Sequence, residues 1–371
     1  MKNIHMVDLH AQYLRIKNEI DHAIQDVVNS TAFINGPQVR EFSKNLETYL
    51  EVKYVIPCAN GTDALQIALM VLGLEPGDEV ICPDFTFIAS VEVIALLGLK
   101  PVLVDVDPVN FTIDTECIGR AITSRTKAII PVHLFGLCAN MSEILKIANE
   151  HKIAVIEDTA QAIGSTYNDN KITGKAGTLS DIGCTSFFPS KNLGCFGDGG
   201  AIFTNNEFLA DKMRGITNHG SKIKYYNDEV GVNSRLDTLQ AAVLNVKLKY
   251  LDVYCKARQM AAKYYAEKLK DIDTVITPSI PEYSDHVFHQ YTIRVTDRRD
   301  ALREYLTKKN IPTMIYYPVG IHNQKAYKAE GNFPVSDMLT KQVLSLPMHT
   351  ELTTEQQEYI CTHIREFFKS N

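Results

Sequence analysis

The sequence DIGCTSFFPSKNLGCFGDGGAIFT, residues 181–204, carries the strongest indication of the fold. It contains two apolar runs, Asp181–Phe187 and Gly200–Thr204, which are typical of strands. The glycine-rich link CFGDGG favours a hairpin, and therefore one antiparallel strand. Lys191 lies between the runs among serine, proline and glycine residues. Because few charges surround it, its ammonium is disfavoured and the free amine that forms an imine is easier to reach. An exposed loop lysine is the alternative.

Upstream of this segment, short apolar runs alternate with helical patterns from about Lys53 onwards. The helical patterns are Ser90–Leu97, Asp114–Ile122 and Met141–His151. The strand candidates are Glu79–Cys82, Pro101–Asp105, Ala128–Val132 and Ala154–Glu157. This order predicts βαβ units and a parallel sheet covered by helices on both faces, that is, an α/β protein.

Downstream of the lysine segment, Leu236–Asp271 has the periodicity of a long helix or of a helix pair that leaves the large domain. Strand, helix, strand and terminal-helix patterns follow at His289–Val295, Asp300–Lys309, Thr313–Tyr317 and Thr354–Lys369. We therefore predict a large domain over residues 1–250 and a small C-terminal α/β domain over residues 251–371.

The composition is typical of a globular enzyme-sized chain, with 371 residues of which 45% are apolar and 22% charged. A net charge of −6 without a basic stripe argues against a nucleic-acid partner. No apolar run approaches the roughly 20 residues that span a bilayer, and the opening residues MKNIHMVDLHAQYL lack the pattern of a signal peptide. The eight scattered cysteines form no C-x-x-C pair, so we expect reduced thiols and a cytoplasmic protein.

Two segments have the chemistry of a phosphate site and of a ring-stacking site. Asn60–Leu65, NGTDAL, places a Gly-Thr turn where an apolar helix begins, so that backbone N–H groups and a hydroxyl lie at the positive end of the helix dipole. The alternative is a simple helix cap by Thr62 or Asp63. Pro83–Phe87, PDFTF, follows a strand, and α/β proteins bind ligands in such loops. An aromatic side chain there could stack on a planar ring or belong to the core.

The segment Ile156–Gln161, IEDTAQ, ends a buried apolar strand with a carboxylate. An isolated buried carboxylate is costly, and a cationic partner would offset that cost. A protonated pyridine nitrogen is such a partner, and its charge makes the ring a better electron sink. Gln161 could then reach a phenolic oxygen of the ring. The alternative role of Asp158 is a helix N-cap at the turn after the strand.

The segment Gly231–Asp237, GVNSRLD, precedes the long helical pattern. Arg235 and Asp237 could pair with each other. Asn233 and Arg235 could instead face an anionic group.

Together these segments resemble the DegT/DnrJ/EryC1/StrS family, whose members are sugar-nucleotide aminotransferases that use pyridoxal 5′-phosphate (PLP). The resemblance covers nearly the whole chain, including His286–Val295 and Ser345–His349, and the lysine segment is its most specific part. It implies the PLP-dependent transferase fold of type I, with a large domain on a mixed, mostly parallel sheet and a small C-terminal α/β domain.

The resemblance also implies roles for individual residues. Lys191 matches the Schiff-base lysine and Asp158 the partner of the pyridine nitrogen, and these two are the expected catalytic residues. Gln161 matches the residue near the phenolic oxygen and Phe87 the stacking aromatic. The other expected cofactor-binding residues are Gly61, Thr62, Asp63, Ser186 and Asn233, which with the exception of Asp63 match the phosphate grip. In the family the asparagine comes from the neighbouring subunit, so a homodimer with shared active sites is implied.

The substrate residues implied by the resemblance are Arg235, near substrate carboxylates, and Tyr316, Tyr317 and His322. The implied reaction moves an amino group from L-glutamate to a 3-keto sugar nucleotide, with UDP-2-acetamido-2-deoxy-3-oxo-glucuronate as the expected substrate and O-antigen or a related polysaccharide as the destination. One departure weakens the sugar assignment, because many relatives have His-Tyr-Pro where this chain has Tyr316-Tyr317-Pro318.

Several alternatives remain open. The substrate could be a dTDP-3-oxo-6-deoxyhexose or a 4-keto sugar nucleotide. A PLP-dependent sugar dehydratase is disfavoured because those relatives replace the lysine by histidine, and a non-enzymatic regulator is disfavoured because Lys191, Asp158 and Gln161 are intact. A fold-type I enzyme acting on amino acids is the third alternative. His286 and His289 form an H-x-x-H pair without a third ligand, so no metal is expected.

Overall fold

The computed structural model describes residues 3–223, 225–327 and 329–369. Within those ranges, no helix combines the length and apolarity needed to cross a membrane. The α-helices, numbered in chain order, are Leu9–Arg15 (α1), Lys17–Ser30 (α2), Pro37–Leu50 (α3), Gly61–Val71 (α4), Ala89–Leu96 (α5), Thr115–Ala121 (α6), Met141–His151 (α7), Glu207–Ile216 (α8), Thr238–Leu248 (α9), Leu251–Leu269 (α10), Arg299–Lys308 (α11), Pro334–Gln342 (α12) and Thr354–Lys369 (α13).

The strands are Tyr54–Cys58 (β1), Glu79–Pro83 (β2), Lys100–Val104 (β3), Thr126–Ile129 (β4), Ala154–Asp158 (β5), Thr166–Asn168 (β6), Thr173–Lys175 (β7), Ile182–Ser186 (β8), Gly200–Thr204 (β9), Val275–Ile276 (β10), Tyr291–Val295 (β11) and Val343–Leu346 (β12). Single 3₁₀ turns lie at Leu134–Gly136 and Ile321–Asn323.

The main sheet has seven strands in the order β1-β9-β8-β5-β4-β2-β3. Strands β2 to β5 and β8 pair in parallel, whereas β9 runs antiparallel to both of its neighbours. The predicted α/β fold with a mixed, mostly parallel sheet is therefore confirmed. The hairpin predicted from the glycine-rich link is the antiparallel β8–β9 pair.

One edge of this sheet gathers the loops that matter for function. Strand β2 ends there at Pro83, β5 at Asp158 and β8 at Ser186. Strand β1 also ends there and β9 begins there, because Cys58 and Ser186 both pair with Gly200. The loops after β1, β2, β5 and β8 consequently meet, as expected for the carboxyl edge of a parallel sheet.

Both faces of the main sheet are buried. Successive strand residues point to opposite faces, and helices cover each face. Val155 packs in a cluster with α6 and α7, while its neighbour Ile156 packs in a cluster with α4, α5 and α8. Phe187 and Phe203 belong to a third cluster, which includes side chains of α3, α9 and α10. Each such fully buried large side chain contributes about 1.5–3 kcal/mol.

The C-terminal part has its own sheet, with the antiparallel order β10-β11-β12. Helices α10, α11 and α13 cover it through buried residues such as Tyr265, Leu302 and Ile364. Ile4, which precedes α1, joins the same cluster. The boundary proposed at residue 250 falls between α9 and α10, and it stays a prediction.

The predicted elements differ from the observed ones mainly at their ends. The patterns at Met141–His151, Gly200–Thr204 and Thr354–Lys369 coincide with α7, β9 and α13. The long pattern at Leu236–Asp271 is a helix pair, because α9 ends at Leu248 and α10 begins at Leu251. Helices α1 to α3 and strand β1 had not been predicted.

The strand predicted at Thr313–Tyr317 is wrong. Only Met314 pairs with a strand, through two backbone hydrogen bonds with Ser345 of 3.1 and 2.7 Å. The segment is flanked by Pro312 and Pro318, and a proline has no N–H to donate to a ladder. Its tyrosines turn instead towards the cavity described next.

Candidate active site

A cavity of about 820 Å³ lies where the loops of the carboxyl edge meet. Many of the predicted site residues line it: Gly61, Thr62, Asp63, Phe87, Asp158, Gln161, Ser186, Lys191, Tyr316 and Tyr317. The structure therefore brings residues from four strand-end loops and from the C-terminal part into one site. It also adds lining residues that the sequence had not singled out as site residues, among them Asn60, Ser190, Asp198, His289 and Gln290.

The loop that carries Lys191 is tightly turned and held from behind. The Lys191 N–H donates to the Phe188 carbonyl at 2.8 Å. A Cβ atom on Gly194 would lie 2.3 Å from the Pro189 carbonyl oxygen, so only glycine fits this turn. The buried amine of Lys247 donates to the Gly194 carbonyl at 2.6 Å. These contacts fix the backbone from which the Lys191 side chain enters the cavity.

The environment of Lys191 favours its neutral amine. Burial lowers its pKa to about 8, and the negative charge of Asp158 only partly opposes this effect. A lysine with an ordinary pKa is almost entirely charged at neutral pH, whereas this one releases its proton readily. The amine is thereby suited to attack a carbonyl carbon and to accept a proton.

Asp158 ends β5 with a buried carboxylate that the protein only partly satisfies. One oxygen accepts from the Ser90 hydroxyl at 2.8 Å, and the other accepts from the Ala160 N–H at 3.1 Å. No lysine or arginine of the described ranges forms an ion pair with it within 4.0 Å. A buried carboxylate without a cation is expensive. A protonated ring nitrogen in the cavity would supply that cation.

The first turn of α4 has the geometry of a phosphate cradle. Asn60 caps the helix by accepting the Asp63 N–H at 2.8 Å, so neither Thr62 nor Asp63 is the cap that the sequence had left open. A Cβ atom on Gly61 would lie only 2.7 Å from the Ser186 Cβ, so glycine brings the two loops together. The helix terminus and two nearby hydroxyls, those of Thr62 and Ser186, can then face one anion.

An aromatic wall closes another side of the cavity. The Gln161 side-chain amide donates to the Tyr317 hydroxyl at 3.0 Å and accepts from the Phe135 N–H at 2.7 Å. The Phe87 ring lies 6.3 Å from the Tyr317 ring and is 54% exposed, which leaves a face open to a flat ligand. Burial raises the pKa of Tyr317, so this phenol stays uncharged. The lining groups together fit a flat pyridine ring that carries a phosphate.

Three predicted site residues, Asn233, Arg235 and His322, do not line this cavity. Asn233 is exposed, and Arg235 lines a separate depression of about 470 Å³ together with Arg40 and Arg214. Ser234, between them, accepts the Ala59 N–H at 3.0 Å. This contact places the segment beside the turn that leads into α4.

His322 has a different environment from the predicted one. Its ring bonds the buried Asp84 carboxylate at 2.7 Å, and its N–H donates to the same carboxylate at 2.7 Å. The ring stacks on Phe333 with a centroid distance of 4.6 Å. His322 therefore anchors the loop Pro83–Phe87, which carries Phe87 to the cavity, and does not line the cavity itself.

Comparison with known proteins agrees with this geometry. The sequence profile of the DegT/DnrJ/EryC1/StrS aminotransferase family matches residues 14–365. The chain is 46% identical to a pleiotropic regulatory protein of Geobacillus stearothermophilus over 99% of each chain. It is also 46% identical to the UDP-2-acetamido-2-deoxy-3-oxo-D-glucuronate aminotransferase of Pseudomonas aeruginosa, over 96% of this chain and 98% of the relative.

A third relative and a solved structure add to this. The UDP-N-acetyl-3-dehydro-alpha-D-glucosamine 3-aminotransferase of Acidithiobacillus ferrooxidans is 45% identical over 98% of this chain and 97% of the relative. The structure of NtdA from Bacillus subtilis, with its cofactor pyridoxamine phosphate bound, is 34% identical and superposes with a TM-score of 0.91. That alignment covers 100% of this chain and 86% of the other.

Proposed function

The chain belongs to the DegT/DnrJ/EryC1/StrS aminotransferase family, and we propose that its substrate is UDP-2-acetamido-2-deoxy-3-oxo-glucuronate, which it aminates at C3. It is an enzyme, and its cofactor is pyridoxal 5′-phosphate. The observation that carries the catalytic assignment is one cavity that contains both the Lys191 amine, whose pKa is lowered by burial, and the Asp158 carboxylate, which accepts from Ser90 and Ala160 but forms no ion pair with a lysine or arginine of the described residues. The regulator alternative is therefore set aside, although one relative is described as regulatory.

The residues that line the cavity can each be matched to one part of PLP. The α4 terminus with Gly61, Thr62 and Ser186 would hold the phosphate, and Asp158 would face the ring nitrogen. Gln161 would lie near the phenolic oxygen while keeping its bond to Tyr317. When bound, PLP supplies an electron sink that makes the Cα proton of an amino donor acidic.

Lys191 is the residue that moves the proton. It would hold the cofactor covalently between turnovers and present its Nζ to the reacting carbon once released. The free amine would accept the proton from the donor's Cα, and the resulting ammonium would deliver it to the C4′ carbon of the cofactor. Positioned acid–base help of this kind contributes typically about 10²–10⁴-fold.

We further propose that L-glutamate is the amino donor, that the enzyme is a cytoplasmic homodimer with shared active sites, and that the product serves O-antigen or related polysaccharide synthesis. Support for the dimer comes from Asn233 and Arg235. Both lie outside the cavity of their own protomer, and the family resemblance assigns both to a ligand. A second copy would bring Asn233 to the phosphate and Arg235 to the sugar.

A complementation experiment tests the shared site. The inactive variants Lys191→Ala and Asn233→Asp should regain part of the activity when their subunits are mixed and exchanged, because one site of the mixed dimer is then intact. A pair of variants in one protomer's cavity, Lys191→Ala with Asp158→Ala, is the matched control and should not complement. Exchange without any recovered activity in the first pair would exclude shared sites.

A second candidate substrate is the neutral 3-keto sugar UDP-N-acetyl-3-dehydro-glucosamine. It is favoured by the 45% identical relative of that name and by Tyr316, which brings no positive charge to the substrate end of the cavity. The uronate has a carboxylate that needs Arg235, whose planar fork suits such a group. The neutral sugar has no such need.

The reverse reaction separates the candidates. The 3-amino derivatives of the UDP-uronate, of the neutral UDP-sugar and of a dTDP-6-deoxyhexose would be assayed side by side. With the uronate, Arg235→Leu should cost about 1.5–3 kcal/mol in kcat/KM, the range for a hydrogen bond to a charged group. A preference for either other sugar, or an Arg235→Leu variant with unchanged specificity, would end the uronate assignment and leave the aminotransferase chemistry intact.

A further inference from the structure

His289 is a buried histidine in the Lys191 cavity. It lines the cavity and is 7% exposed. Its Nδ1 is fully buried without a hydrogen bond among the described residues. A buried polar atom without a partner is costly, so its retention calls for a reason. The structural packing role that would explain a core histidine does not satisfy this nitrogen.

The backbone around His289 is held in place from several sides. The guanidinium of Arg258 donates to the His289 carbonyl at 3.1 Å and to the Phe288 carbonyl at 3.0 Å. The Gln290 N–H donates to the Phe135 carbonyl at 3.3 Å. A Cβ atom on Gly136 would lie 2.9 Å from the backbone nitrogen of His289, so the glycine allows the two loops to contact each other. The backbone that carries the ring therefore has a fixed position.

This fixed position is tied to Lys191 by the adjacent residue. The Asn192 side-chain amide donates to the Val287 carbonyl at 3.1 Å. A hydrogen bond thus joins the residue after the lysine to the segment that carries His289. A lysine side chain has a flexible four-carbon stem, so its amine can reach neighbouring groups of the cavity once it is not engaged elsewhere.

The imidazole is uncharged. Burial holds the pKa of His289 well below its usual range, and the positive charges of Lys191 and Arg258 act in the same direction. A neutral imidazole has one nitrogen that accepts and one that donates. The uncharged His289 ring therefore has one nitrogen that can accept, whereas a protonated Lys191 amine can only donate.

We propose that a ring nitrogen of His289 accepts a hydrogen bond from the Lys191 amine, which makes His289 a positioning residue for the group that moves the proton. The inference rests on the aminotransferase function and goes beyond it, since it assigns a role in the proton-transfer step to a residue of the C-terminal part. The bond stabilises the ammonium in the half of the cycle in which Lys191 carries the proton, and it aims the amine in the other half.

Other charged and titratable groups also face this pair, and the test must hold them constant. Asp158 acts on Lys191 from β5 and raises its pKa, while Arg258 acts on His289 from α10. The remaining titratable side chains that line the cavity are Asp63, Asp198, Tyr316 and Tyr317.

The test measures the pKa of Lys191 in the cofactor-free protein. Trace acylation of amines at a series of pH values, with quantification of the Lys191 peptide by mass spectrometry, gives that pKa without turnover or substrate. His289→Phe keeps a flat ring and removes the acceptor. The Lys191 pKa should then fall by about one unit, because an ammonium that loses a hydrogen bond is destabilised.

Two further variants and one control complete the design. His289→Asn and His289→Gln place an amide oxygen near the position of Nδ1 or Nε2, and one of them should restore the wild-type pKa. His286→Phe removes the other buried histidine of the segment, which does not line this cavity, and should leave the Lys191 pKa unchanged. If His289→Phe does not fold, His289→Leu carries the same expectation.

An unchanged or raised Lys191 pKa in the folded His289→Phe or His289→Leu protein would overturn the proposal, as would a fall that neither amide variant reverses. Because the measurement uses no sugar, such a result leaves the substrate proposal standing. Failure of every sugar assay would in turn leave this result intact.

Discussion

Glu157 and Asp158 are consecutive carboxylates at the end of β5, and they face opposite sides of the main sheet. Glu157 is fully buried and accepts N–H donors from Gly177, Leu179 and Ser180, each at 2.9 Å. Asp158, which is 5% exposed, accepts only one N–H and one hydroxyl. Two neighbours of similar chemistry and burial thus have very different surroundings.

A histidine completes the surroundings of Glu157. The Nδ1 of His133 accepts the Ala139 N–H at 3.1 Å, so the ring proton is on Nε2, which donates to Glu157 at 2.9 Å. The Ser180 hydroxyl donates to the same carboxylate at 2.9 Å. The protein itself satisfies every lone pair of Glu157 that it buries. This carboxylate holds the loop 177–180 to the sheet and needs no ligand.

This difference distinguishes a carboxylate with a structural role from one that is available to a ligand. A buried carboxylate saturated with protein donors is a structural device, whereas one that is left short of donors beside a cavity is prepared for a cation from outside. The same contrast separates the two lysines whose pKa is lowered to about 8 by burial. Lys247 donates to the Gly194 carbonyl, whereas Lys191 lines the cavity.

The largest expected effect comes from Asp158→Asn. An amide cannot hold the ring nitrogen in its protonated form, so the electron sink weakens. We expect kcat and kcat/KM to fall together by about 10²–10³-fold, the range for removal of one preorganised electrostatic group. The melting temperature should stay near that of the wild type. Near-normal turnover would mean that Asp158 is only a cap for the following turn.

The matched change on the other face, Glu157→Gln, should have the opposite profile. The amide of the introduced glutamine would direct its own N–H groups at the backbone N–H donors that bond the carboxylate in the wild type. We expect the free energy of unfolding to fall by about 2–4 kcal/mol, as for a broken buried charge network. Turnover per folded molecule should stay within about threefold, because no contact to the reacting atoms is lost. Denaturant unfolding and active-site titration measure the two quantities. A large loss of turnover at full stability would erase the contrast.

The sequence was sufficient to predict the main sheet except for its edge strand β1, but it was not sufficient to predict this contrast. Strands β2 to β5 could be predicted from their apolar runs, because both faces of a parallel strand are buried. Thr313–Tyr317 has a similar run, yet it is not a strand, since flanking prolines and the partner at Ser345 decide its pairing. A run of apolar residues does not reveal which neighbours complete it.

The site shows the same limit. The family motifs brought together the residues of the cavity from Gly61 to Tyr317. They did not reveal that His322 binds Asp84, 238 residues away, or that Glu157 differs from Asp158. His289 was noticed only as half of a metal pair. Each of these features depends on contacts between distant segments, which local spacing does not encode.

The next effect is a shift in pH dependence. Covalent uptake of PLP by the cofactor-free protein needs the neutral Lys191 amine, so its rate should rise about tenfold per pH unit and level off above about pH 8. Asp158 raises the Lys191 pKa, so the inflection should move to lower pH in Asp158→Asn. Glu157→Gln should leave it in place. Stopped-flow absorbance follows the uptake, and equal shifts in both variants would contradict the separation of the two faces.

The smallest effect tests the contrast with single hydroxyls. Ser90 donates to Asp158 at 2.8 Å, and Ser180 donates to Glu157 at 2.9 Å, so Ser90→Ala and Ser180→Ala remove one comparable bond from each side. The loss of one such bond is worth about 0.5–1.5 kcal/mol, which is roughly a threefold to tenfold change. Because Asp158 has few donors and faces the reacting ring, Ser90→Ala should lower kcat by that factor with little change in KM. Because Glu157 keeps its other donors, Ser180→Ala should lower only the free energy of unfolding. If both variants lost the same turnover, the two carboxylates would belong to one electrostatic unit, and the division of β5 into a structural face and a catalytic face would be wrong.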